Sequence, residues 1–93
     1  MNVTITTLRG FAHGRVQGVF FRAQTQKKAM ELGIHGWVRN VMDGRVEILI
    51  SGSSSAVESM RAWLAKGPTM ARVDLLQLDP VEPYHHSGFQ IRY

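Results

Sequence analysis

The sequence has no cysteine in its 93 residues, which rules out disulfides, thiolate nucleophiles and thiolate metal sites. No apolar run approaches the length of a bilayer span. The opening Met-Asn-Val-Thr-Ile-Thr lacks the basic and apolar regions of a secretory leader. These absences lead us to expect a cytoplasmic protein with no membrane partner. Neither Gly-x4-Gly-Lys-Ser/Thr nor Gly-x-Gly-x-x-Gly occurs, so the common nucleotide-binding loops are not expected. There is no repeat, linker or low-complexity stretch to mark a domain boundary. Acidic residues are scarce beside basic ones, 7 against 11, giving a formal charge of +4. That balance favours anionic partners, whether small phosphates or nucleic acid, without choosing between them.

What remains is an ordinary globular composition, 44% hydrophobic and 19% charged, enough for one modest core. One domain over residues 1–93, acting as a monomer, is the expectation. Asn2 to Ala12, with Val3, Ile5 and Thr7 in alternation, reads as a first strand with an irregularity near Gly10. Arg22 to Leu32 reads as a helix with Phe21, Thr25, Ala29 and Leu32 on one stripe and Gly33 as its stop. Gly36–Val41 and Arg45–Ile50 form a hairpin around Met42-Asp43-Gly44. The serine run 53–55 opens a second helix, with Ser55-Ala56-Val57-Glu58 in the form of a capping box and Gly67-Pro68 as the stop. Ala71 to Leu78 reads as another strand, and Phe89, Ile91 and Tyr93 alternate in a short terminal one. This order predicts an α+β fold of the ferredoxin-like split βαβ type (βαββαβ), an antiparallel sheet with two helices on one face.

The most informative stretch is Gly14-Arg15-Val16-Gln17-Gly18-Val19-Phe20-Phe21-Arg22. Two glycines four positions apart sit in a bend with no acidic residue, which ends in an arginine at the first turn of a helix. A backbone bent this tightly can aim several N–H groups at one point, and an oxyanion fills such a concavity. Arg22 adds a planar, permanently charged fork suited to phosphate. A bend of this kind can also be a mere turn followed by a solvated arginine. Against that, Val16, Val19, Phe20 and Phe21 crowd it with apolar side chains, and an arginine at a helix N-terminus opposes the dipole. A bound anion would relieve the conflict.

The second stretch is Gly36-Trp37-Val38-Arg39-Asn40, followed by Val41-Met42-Asp43-Gly44-Arg45-Val46. Together the two runs resemble the acylphosphatase family, whose signatures are Gly-x-Val-Gln-Gly-Val-x-Phe/Tyr-Arg and Gly-aromatic-x-x-Asn-x3-Gly-x-Val-x5-Gly. Gly14, Val16, Gln17, Gly18, Val19, Phe21 and Arg22 fill the first; Gly36, Trp37, Asn40, Gly44, Val46 and Gly52 fill the second. The spacing between the two and the total length are also similar to that family.

The resemblance implies hydrolysis of a small acyl phosphate to a carboxylate and inorganic phosphate, with no metal and no other cofactor. It implies that Arg22 and the amides of Arg15, Val16, Gln17, Gly18, Val19, Phe20 and Phe21 bind the phosphoryl group, and that Asn40 positions the attacking water. On residue type alone, Asn40 reads first as a turn-capping asparagine before the hairpin loop; the two signatures together reverse that order.

Other polar residues offer less. His13, His35, His85 and His86 show no ligand spacing with an acidic neighbour. Trp37 is expected in the core or at the site wall, and Met30, Met60 and Trp63 in the core. Arg9-Gly10-Phe11-Ala12 resembles the start of an RNA-binding RNP1 pattern, but His13 stands where an aromatic is needed. No nucleic-acid partner is expected.

Overall fold

The computed structural model describes residues 4–93. The elements run β1 (Ile5–Arg15), α1 (Phe21–Leu32), β2 (His35–Asn40), β3 (Val46–Ser53), α2 (Ser54–Lys66), β4 (Arg72–Pro80) and β5 (Phe89–Arg92). The part of the expected first strand at Asn2 and Val3 lies outside the described residues. β1 continues past Ala12 to Arg15, and its irregularity falls between His13 and Gly14, not at Gly10. Gly10 is instead a point of close approach: a Cβ there would sit 1.6 Å from the Gln77 carbonyl oxygen.

The strands form one sheet in the order β4-β1-β3-β2-β5. β1 pairs antiparallel with β3 and β4, and β2 antiparallel with β3. β5 departs from the all-antiparallel expectation by pairing parallel to β2, with Gly36 opposite Phe89 and Arg39 opposite Arg92. The chain leaves β4 at one edge and returns at the far edge. There the Gly36 amide donates to the Gly88 carbonyl at 3.0 Å and the Gly88 amide donates to His35 Nδ1 at 2.8 Å.

Both helices cover one face, α1 over β2 and β5, and α2 over β1, β3 and β4. α1 buries Phe21, Thr25 and Ala29, and α2 buries Val57, Met60 and Leu64. They close over the inward residues Leu8, Ala12, Val38, Val46, Ile48, Ile50, Leu78 and Phe89. Trp63 packs on the margin of this core, whereas Met30 is 68% exposed and takes no part in it. The amides of Gly33 and Ile34 close the end of α1 by donating to Met30 and Ala29. At the start of α2 the cap is Ser53, whose Oγ accepts from the Ala56 amide at 3.2 Å. The expected Ser55–Glu58 box does not form because the helix begins two residues earlier, and Glu58 faces Arg61 at 3.6 Å.

On the opposite face, Glu47 of β3 is buried between Arg9 of β1 and Arg39 of β2, at 2.6 and 2.5 Å. Burial alone would raise its pKa, but hydrogen bonds and charge from Arg9 and Arg39 outweigh it and hold the carboxyl below its ordinary value. Trp37 is buried beneath this layer, with the guanidinium carbons of Arg9, Arg39 and Arg92 4.8–5.9 Å from its ring centroid. The cluster pairs the Arg39 side chain, one residue before Asn40, with Glu47 of the neighbouring strand. No helix among the described residues is long and apolar enough to cross a membrane.

Candidate active site

β1 ends at Arg15, and the chain bends over residues 17–20 before entering α1. Gly18 takes φ 71°, a left-handed conformation that glycine adopts freely. A Cβ built on it would meet nothing within 4 Å, so the backbone there is open to close approach by a ligand. Phe20 is the one non-glycine residue with positive φ among the described residues, at φ 60° and ψ 21°. That region costs an L-residue about 1–2 kcal/mol. Val16, Val19 and Phe21 are buried and fix the bend to the core.

Phe20 is the N-cap of α1 but supplies no side-chain cap, and the first turn of the helix holds no acidic residue. Among the described residues, none of the backbone amides of residues 16–23 donates to a carbonyl or side-chain acceptor. These free donors join the positive end of the α1 dipole and the charge of Arg22. No carboxylate pairs with Arg22 among the described residues. The guanidinium is held from the β5 side instead: Nη1 donates to the Arg92 carbonyl at 3.2 Å, and the group lies 4.8 Å from the Tyr93 ring centroid.

Asn40 closes β2, and its Oδ1 is buried without a hydrogen-bond partner among the described residues. An unsatisfied buried acceptor costs about 1–3 kcal/mol, so this atom is a candidate for contact with a ligand or a solvent molecule. The turn after it is tied down by Gln17, whose Nε2 donates to the carbonyls of Val41 and Arg45 at 2.7 and 2.8 Å.

A cleft of about 300 Å³ brings together Val16, Gly18, Phe20, Phe21, Arg22 and Asn40. The other expected residues stand outside its lining. Arg15 is exposed at the end of β1, the Gln17 side chain is engaged with the hairpin, and Val19 borders a neighbouring groove. Ala23, Ile91 and Tyr93 complete the wall, and sequence reasoning missed all three. Alternation at Phe89, Ile91 and Tyr93 signalled a strand there, but nothing in it named β2 as the partner. His13 and His35 are engaged elsewhere, with Gln77 Oε1 at 3.2 Å and the Gly88 amide at 2.8 Å.

Residues 8–91 match the family model described as Acylphosphatase. A relative from Nitrosococcus oceani named acylphosphatase is 51% identical over 88 residues, covering 95% of this chain and 99% of its own. Among solved structures, an acylphosphatase from Coxiella burnetii superposes with a TM-score of 0.91 at 35% identity, covering 95% of this chain and 93% of its own. The acylphosphatase from Bacillus subtilis gives 0.88 at 33% identity, covering 97% and 100%.

Proposed function

Because the chain belongs to the acylphosphatase family and is an enzyme of that class, we propose that the Arg22–Asn40 cleft hydrolyses small acyl phosphates by direct attack of water on phosphorus, without a metal. The phosphoryl group sits against the free amides of residues 16–23 and the Arg22 guanidinium. Donors already in place there stabilise charge as it shifts onto the phosphoryl oxygens, with no reorganisation during the reaction. Asn40 Oδ1, a buried acceptor with no hydrogen-bond partner among the described residues, takes a hydrogen bond from the attacking water and aims it in line with the leaving carboxylate. As the water oxygen bonds to phosphorus, the bond from phosphorus to the acyl oxygen breaks and the carboxylate leaves with the electron pair. The water's proton passes to a phosphoryl oxygen.

A carboxylate is a good leaving group, so the reaction needs no strong general acid, and the cleft lining contains no His, Asp or Glu. The observation that carries this reading is the pairing, in one cleft, of uncapped amides beside an arginine without a carboxylate and a buried asparagine oxygen without a partner, both among the described residues. It is tested by assaying benzoyl phosphate hydrolysis in excess chelator, with inorganic phosphate as inhibitor. Turnover with competitive inhibition supports it. Absence of turnover, or activity only after a divalent ion is restored, contradicts it.

A further inference from the structure

Phe20 holds a left-handed backbone that glycine would adopt freely, yet it carries a phenyl ring. That ring is 74% exposed, so packing in the fold does not repay the conformation. A backbone outlier of this kind at the edge of a site points to function. The ring also occupies a particular place. It lines the cleft with Arg22 and Asn40, and it lines a second groove of about 380 Å³ with Trp63, Lys66 and Met70. Met70 is itself 67% exposed, so two large apolar side chains stand open at one mouth.

We propose that the Phe20 ring is a specificity-determining contact that receives the acyl portion of the substrate and directs it into the groove toward Met70 and Trp63. The assignment rests on the proposed function, since it is the phosphoryl group in the cleft that brings an acyl group to this place. The backbone amide of Phe20 belongs to the phosphate cradle, whereas its ring takes the part of the substrate that the cradle does not read. The groove wall selects aromatic and other apolar acyl groups over acetyl, because a flat apolar group stacks on an exposed ring and sheds water as it does so.

Acetyl phosphate and benzoyl phosphate share the phosphoryl group and differ only in the acyl part, so the ratio of their kcat/KM values isolates the ring from the cradle. Disturbing the loop lowers both values together; removing the ring lowers the ratio. In Phe20→Gly the benzoyl-to-acetyl ratio is expected to fall about three- to tenfold. The melting temperature should be unchanged or raised, because glycine relaxes the left-handed backbone. In Met70→Ser the ratio is expected to fall about twofold or more. An unchanged ratio in either variant overturns the assignment, as does a lowered melting temperature in Phe20→Gly, which would make the ring a packing element. Failure of the unaltered protein to hydrolyse either compound would instead overturn the reading on which the assignment rests.

Discussion

The side-chain amide of Gln17 donates to the Val41 carbonyl at 2.7 Å, fastening the bend before α1 to the turn that follows Asn40. A second bond from the same nitrogen reaches the Arg45 carbonyl at 2.8 Å, on the other side of that turn. One side chain therefore ties the two halves of the candidate site together, in addition to the β1–β3–β2 ladder. Gln17→Ala is expected to cost about 1–2 kcal/mol of stability through two lost hydrogen bonds. It should lower kcat/KM by about 10- to 100-fold, because small displacements between reacting groups are expensive. Urea denaturation and steady-state kinetics on the same sample check this; full activity in the destabilised variant would show that the brace does not set the site.

Arg22→Ala removes the guanidinium that, in the proposed mechanism, meets both the bound phosphate and the developing charge. The expected result is a fall in kcat of about 10³-fold or more and a raised inhibition constant for inorganic phosphate. Arg22→Lys should recover little of either, since an ammonium cannot reproduce a planar two-point contact or stack on the Tyr93 ring. Near-normal kinetics for Arg22→Ala in a folded protein would remove Arg22 from the mechanism.

Asn40→Ala should separate from Arg22→Ala. Turnover is expected to collapse while the inhibition constant for phosphate stays within about twofold, because a water-positioning group acts in the transition state and little in the ground state. Stability should hold or improve slightly, since the substitution removes a buried acceptor that has no partner among the described residues. A parallel loss of phosphate affinity would make Asn40 a phosphate ligand.

Glu47 gives the fold a contribution to stability that weakens in acid. Its carboxyl is held below its ordinary pKa of 4.5 in the folded protein, so its contribution is complete above that pH and is lost as pH falls through the lowered folded value. Glu47→Gln is expected to destabilise the protein by about 1–2 kcal/mol at neutral pH, a modest figure because Arg9 and Arg39 are half-exposed. The difference between the two proteins should narrow as pH falls below 4.5. Denaturant midpoints measured from pH 7 to pH 2.5 check it; a difference constant across that range would mean that the carboxylate charge contributes nothing.

Local signals carried far in this sequence. The alternation of Val46, Ile48 and Ile50 and the spacing of Phe21, Thr25 and Ala29 located a strand and a helix, and each set faces the shared core. The Gly14–Arg22 bend was readable from its two glycines and its arginine at a helix start without an acidic residue, whereas the left-handed backbone at Phe20 falls on a residue type that does not signal it. What stayed hidden was set by distant partners. The parallel pairing of β5 with β2, and with it the place of Ile91 and Tyr93 in the cleft wall, depends on where residues 81–88 lead the chain. The brace of Gln17 on Val41 spans 24 positions and leaves no local pattern. The cap of α2 was misplaced because Ser53, Ser54 and Ser55 are chemically equivalent, and only the course of β3 decides which one turns into the helix.

The proposed function turns on direct, metal-free attack of water on phosphorus in the Arg22–Asn40 cleft. Its most direct test is hydrolysis of benzoyl phosphate in heavy-oxygen water with excess EDTA, followed by mass spectrometry of both products. The expected result is an undiminished rate, with one heavy oxygen in the inorganic phosphate and none in the benzoate. Label in the benzoate, or hydrolysis that stops until a divalent ion is added, would contradict it.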